Sequence, residues 1–124
     1  MKRNKILNSE QIERKLERMA RQILEDHYSE KEIVLLGIKK KGIEVATRLE
    51  TILNSLGKLK IKFEQIELQK DSPLKKDIHC SYEESDLKGK VVIVVDDVLN
   101  SGKTMIYAVK HILEAEPKGV YTAT

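Results

Sequence analysis

Tryptophan is absent from this chain, phenylalanine occurs once and tyrosine four times. A core built from its 124 residues must therefore be aliphatic, and a chain of this length supports one core of modest size. The single cysteine, Cys80, excludes an intrachain disulfide framework and a cysteine-cluster metal site. With only two prolines and six glycines, no low-complexity linker divides the chain, and no internal repeat is visible. No apolar run approaches the ~20 residues of a membrane-spanning helix, and the amino terminus lacks the apolar stretch of a secretory signal. The expectation is one cytoplasmic domain covering residues 1–124, with no membrane partner. A dominant charge sign is missing too. Lys and Arg number 23 against 20 Asp and Glu, a net +3. That balance favours anionic ligands slightly and does not by itself argue for nucleic acid.

The most informative stretch is residues 90–104, KVVIVVDDVLNSGKT. Val91 to Val95 are an unbroken β-branched run, which suits a strand buried on both faces of a parallel sheet. The run ends in two carboxylates, Asp96 and Asp97. A small polar turn follows, Asn100-Ser101-Gly102, and a helical pattern starts at Thr104. Ligands of open α/β sheets sit at the carboxyl ends of strands. A helix N-terminus reached through a small-residue turn offers free N–H groups to an anion. The stretch thus supplies carboxylates for hydroxyls or a metal, beside a phosphate socket. A solvated acidic turn and an acidic metal pocket remain as alternatives. A P-loop is excluded, since Asp97 stands where that motif requires its first glycine.

The rest of the chain alternates strands and helices. Residues 1–6 are basic and are expected to form an arm. Asn8 or Ser9 caps a first helix whose apolar stripe is Ile12, Leu16, Met19, Ala20 and Ile23. Its other face mixes Glu13, Arg14, Lys15, Glu17, Arg18 and Arg21, the pattern of a solvated face with local ion pairs, with an RNA-facing role as the alternative. Ile33 to Leu36 form a short strand. It runs into Gly37-Ile38-Lys39-Lys40-Lys41-Gly42, and a helix follows with Ile43, Ala46, Leu49 and Leu53 on one side. Lysines between a buried strand and a helix start are placed to meet an anion. Gly57 ends that helix. Lys58, Lys60 and Lys62 then alternate with Leu59, Ile61 and Phe63 as a half-buried strand. The phase slips near Gln65, which predicts a bulge. The lysine row reads as an exposed sheet edge, with RNA contact as the alternative. Residues 78–82 suit a short return strand. Met105, Ile106, Val109, Ile112 and Leu113 predict an amphipathic helix that Pro117 stops, and a strand starts at Gly119. His27, His79 and His111 lack sequence partners for catalysis or metal binding. The order predicts an α/β fold, a Rossmann-like parallel sheet flanked by helices, with the first strand beside Val91–Val95.

VVIVVDDVLNSGKT resembles the phosphoribosyl-pyrophosphate (PRPP) signature of type I phosphoribosyltransferases, departing from it only at Asn100. Together with Gly37-Ile38-Lys39-Lys40-Lys41-Gly42, it most resembles the uracil-using, operon-attenuating branch of that family, over nearly the whole chain. The resemblance implies phosphoribosyl transfer from PRPP to a nitrogenous base, a pyrimidine such as uracil, with release of pyrophosphate. It implies Asp96, Asp97 and Asn100 as catalytic positions. Asn100, Ser101, Gly102, Lys103 and Thr104 would hold the 5′-phosphate, and Lys40, Lys41 and Gly42 the pyrophosphate. Mg²⁺ would be the cofactor, held by Asp96 and Asp97 mostly through water. Residues 69–88 would form a mobile lid over the reacting sugar, with Lys70 and Asp71 where relatives carry Arg-Asp. Relatives also carry Thr-Arg-Gly at the pyrophosphate tip; Lys41 keeps the charge without the bidentate fork. Asn100 stands where purine-using members carry an Asp that handles the base proton, which tilts the reading toward a pyrimidine or a regulatory role. The alternative function is a PRPP- or nucleotide-sensing RNA-binding transcription regulator with little turnover. A homodimer or higher homo-oligomer is expected. Family members continue beyond the position of Thr124 with further core and a hood that holds the base. The resemblance therefore implies a type I phosphoribosyltransferase fold lacking its carboxyl-terminal part, which binds PRPP but turns over little base.

Overall fold

The computed structural model describes residues 9–39, 41–57, 59–68, 78–96 and 102–123. In chain order the elements are α1 (Ser9–Asp26), β1 (Glu32–Ile38), α2 (Lys41–Leu56), β2 (Lys60–Leu68) and β3 (Ile78–Cys80). They continue with α3 (Glu84–Leu87), β4 (Val91–Val95), α4 (Gly102–Leu113) and β5 (Gly119–Ala123). The strands form one sheet in the order β3-β2-β1-β4-β5. β1, β2, β4 and β5 are parallel, and β3 returns antiparallel to β2. The expected neighbours meet: Ile33 pairs with Val91 and Gly37 with Val95.

Strand alternation explains why β1 from Ile33 onward and β4 are apolar throughout. Ile33, Leu35, Val91, Ile93 and Val95 point to one face, where Leu16, Ala20 and Ile23 of α1 and Ala46, Leu49 and Leu53 of α2 cover them. Val34, Leu36, Ile38, Val92 and Val94 point to the other, under Ala108 and Ile112 of α4 and Leu87 of α3. A central strand buried on both faces needs an apolar residue at every position. Gly57 takes a positive φ of 65° and its N–H caps the end of α2, the role glycine plays after a helix.

Several expectations are corrected. No bulge interrupts β2. Its register against β1 is continuous from Lys60 to Ile66, so the apolar set changes face: Ile61 and Phe63 pack on the α1–α2 side, Ile66 on the α4 side. Lys62 and Glu64 consequently point to the α4 side, near α3. There Lys62 pairs with Asp86 at 2.8 Å, while Lys60 lies 3.7 Å from Glu32. The lysines described in this row therefore have acidic partners. On α4, Ile106 and Leu113 are 67% and 55% exposed. The buried stripe is Ala108 and Ile112, extended by Ala115 beyond the helix, because Ile106 and Leu113 lie on the outward side. α3, four residues long, has no counterpart in the sequence reading. Residues 78–88 are the described part of the span 69–88 expected as a lid. Tyr82 and Leu87 are buried in the core under α4, and Asp86 closes a capping box with Glu83. Residues 69–77, with Lys70 and Asp71, lie outside the described residues.

Candidate functional site

The geometry converges at the carboxyl ends of β1 and β4. From β1 the chain crosses through α2 to β2 on one side; from β4 it crosses through α4 to β5 on the other. This is a topological switch point, where the two connections diverge and leave a crevice above the strand ends. Both α2 and α4 begin at this edge, so each presents the unpaired N–H groups and positive dipole end of a helix start to the crevice.

Gly42, in the first turn of α2, shows how tightly the start of α2 meets the end of β4. A Cβ built there would lie 2.7 Å from the Val95 carbonyl oxygen, 3.1 Å from Asp96 Cα and 3.4 Å from Asp96 Oδ1. Only glycine lets the helix start rest on the end of β4. Gly37 serves the same packing from below, since its Cβ would come within 3.1 Å of Ala46 Cβ and Ile43 Cα. The start of α2 and Asp96, far apart in sequence, are therefore adjacent in space.

Asp96 is 2% exposed. Its N–H donates to the Ala123 carbonyl at 3.2 Å, so β5 anchors the point where β4 ends. A carboxylate this enclosed carries a large desolvation cost unless it has partners. The solvated-turn alternative is overturned for this residue. Lys39 leaves β1 with its N–H bonded to the Ile66 carbonyl at 2.9 Å. Its ammonium lies 3.5 Å from Glu67 of β2, and Glu67 is paired in register with His79 of β3. Sequence reading passed over this pair. No local signal could have found it, because the two residues lie 28 positions apart in sequence.

Of the remaining expected site residues, Lys41 is the first residue of α2, and Gly102, Lys103 and Thr104 open α4. Lys40, Asp97, Asn100 and Ser101 lie outside the described residues. Among the described residues no group of three or more His, Cys, Asp or Glu side chains could hold a metal by itself. The buried Asp96 carboxylate is a hard oxygen donor that fits Mg²⁺, an ion that commonly relies on one or two carboxylates with waters and substrate phosphates.

A second polar cluster lies away from this edge. Tyr82 Oη and His111 Nδ1 are buried without hydrogen-bond partners, their rings 6.3 Å apart. Burial pushes the Tyr82 phenol well above its ordinary range. Tyr82 lies under α4, and His111 belongs to that helix.

Comparison with known proteins agrees with the geometry. The phosphoribosyl transferase domain model matches residues 2–124. The Bifunctional protein PyrR of Clostridium acetobutylicum is 34% identical over 96% of this chain and 71% of its own length. That of Actinobacillus pleuropneumoniae is 30% identical over 88% of this chain and 64% of its own. Among solved structures, a hypoxanthine-guanine phosphoribosyltransferase from Bacillus anthracis superposes with a TM-score of 0.80 at 24% identity, over 98% of this chain and 71% of that one. A hypoxanthine phosphoribosyltransferase from Staphylococcus aureus gives 0.78 at 17% identity, over 98% and 66%. At these identities the two structures speak to the fold alone.

Proposed function

The chain belongs to the phosphoribosyl transferase domain family, and we propose that it transfers the phosphoribosyl group of PRPP to a nitrogenous base, uracil above others, releasing pyrophosphate. The observation that carries this reading is the contact of Gly42 with Val95 and Asp96. It joins an acid-bearing strand end to a helix start that follows three lysines. Such a site has separate places for a sugar, its 5′-phosphate and its leaving group.

In the reaction, the bond from ribose C1 to the diphosphate oxygen breaks and its electron pair leaves with the diphosphate. A base nitrogen gives its lone pair to C1 and sheds a proton to solvent. No protein nucleophile is required; the demand is for neutralised leaving-group charge and a base held in line. Asp96 and Asp97 hold the ribose hydroxyls. The first turn of α4, Gly102 to Thr104, with Asn100 and Ser101 before it, binds the 5′-phosphate. Lys40, Lys41 and Gly42 meet the diphosphate. Mg²⁺, oriented by Asp96 and Asp97, would add charge to offset the diphosphate. An amide at Asn100 cannot accept the base proton, which favours a base that needs no enzymic proton acceptor there. The protein acts in the cytoplasm, and no helix among the described residues is long and apolar enough to cross a membrane. A homo-oligomer fits the exposed Ile106 and Leu113 on the outer side of α4.

A second reading is binding of RNA as a regulator, a role for which the relatives' name, bifunctional, leaves room. The exposed Arg18 and Arg21 on α1 support it; the described lysines of β2, already paired with acids, do not. A steady-state assay with PRPP, Mg²⁺ and either uracil, hypoxanthine or guanine tests the first reading. Whatever nucleotide forms is expected to be uridine monophosphate, and turnover of purines alone would overturn the choice of base. RNA titrated over a salt series tests the second, because phosphate contacts give a steep negative slope.

A further inference from the structure

We propose that Glu67 sets how tightly this protein holds diphosphate, by occupying the Lys39 ammonium whenever the diphosphate is absent. The inference rests on the PRPP reading above and adds a residue to it. Lys39 follows β1 directly, at the mouth of the turn that leads into α2. Ile38 and Ile66 both point into the core under α4. By alternation Lys39 and Glu67 therefore share the opposite face, on which α2 lies. The Lys39 N–H bond to Ile66 ties the two strand ends together, and the side chains meet at 3.5 Å.

The quality of this contact suggests a removable partner and not a structural brace. At 3.5 Å the pair is long, and its side chains are 44% and 43% exposed. Exposed ion pairs of this kind are weak and fade in salt. A diphosphate carries more charge than one carboxylate, so it displaces Glu67 from Lys39 readily. Glu67 then stands beside an anionic ligand as a like charge. It opposes binding twice: by holding the cation beforehand, and by repelling the diphosphate afterwards. Glu67 is in this sense a positioning residue, since it acts on the ligand mainly through Lys39.

The test is calorimetric binding of pyrophosphate and of Mg-PRPP, with ribose 5-phosphate as a control that reaches only the α4 side of the site. Glu67→Gln should tighten pyrophosphate and PRPP binding about fivefold at low salt, with the gain shrinking as salt rises. Ribose 5-phosphate affinity should not change, a separation that a general loss of structure would not produce. Lys39→Met should weaken pyrophosphate binding, and in that background Glu67→Gln should bring less than half its original gain. In turnover, Glu67→Gln should lower KM for PRPP and leave kcat within about twofold. If the native chain binds pyrophosphate and Glu67→Gln does not tighten it, the proposal falls while the PRPP reading stands. A gain that persists in full without Lys39 also overturns it, since the effect would then be bulk charge. If the native chain binds neither pyrophosphate nor PRPP, the PRPP reading itself fails and the proposal goes with it.

Discussion

Single atoms decide whether the two halves of the site meet. At Gly42 an added methyl would fall 2.7 Å from the Val95 carbonyl, a main-chain atom that cannot swing aside. Gly42→Ala should therefore push the start of α2 off β4. The expected cost is about 1–3 kcal/mol of stability. A displacement of about 1 Å in such a site can cost about 10²-fold in rate. Thermal unfolding and pyrophosphate titration check this together; an unchanged melting temperature with intact binding would contradict the packing described. Charge pairs at the opposite end of the sheet set the acid limit. Lys90 donates to Glu32 at 2.6 Å and holds that carboxyl below its ordinary 4.5. The Glu83 N–H, then Lys62, holds Asp86 below 3.8. A depressed folded pKa gives stability that is present above the unfolded value and lost as pH falls through the folded one. Melting temperature should thus drop as pH goes below about 4.5, and Lys90→Met should flatten the Glu32 part of that drop. An identical pH profile in the variant would remove Lys90 as the cause.

Elements differ in how openly the sequence declares them. β1 and β4 were legible because a strand covered on both faces admits no polar residue, and Val91–Val95 has none. Their ends were legible because a glycine-lysine stretch follows β1 and aspartate follows β4. β2 misled, since the charged Lys62 and Glu64 and the apolar Ile66 share one face. That face is met by α3 near Lys62 and by core near Ile66, so its polarity changes along its length without any bulge. α3 was invisible because four residues carry no periodicity. On α4 the apolar residues outnumber the positions that face the sheet, and pattern alone could not say which were covered. Ile112 is fully buried and Leu113 is 55% exposed. Ile112→Ala should cost about 2–5 kcal/mol, and Leu113→Ala no more than about 0.5 kcal/mol in the monomer. Denaturant unfolding of the two variants separates them, and equal losses would show that the outer side of α4 is covered in solution.

At the scale of the whole molecule, topology supplies what no local motif can. Gly42 and Asp96 lie more than fifty residues apart in sequence, and they meet because β1 and β4 are adjacent in the sheet. The signature around Asp96 made the family legible. The burial of Asp96 and the Lys39–Glu67 pair were not, because both depend on what other elements bring alongside. The fold is shared with two structures of purine-using enzymes, so the fold by itself does not set the base. PRPP is expected in one place, the crevice above β1 and β4. A crystal of the protein with Mg-PRPP examines it directly. The 5′-phosphate should lie over the first turn of α4, the ribose hydroxyls at Asp96, and the diphosphate against Lys41 and Gly42. PRPP bound elsewhere with this crevice empty, for instance in the hollow between α1 and β5 lined by Ile23, His27 and Thr122, would contradict it.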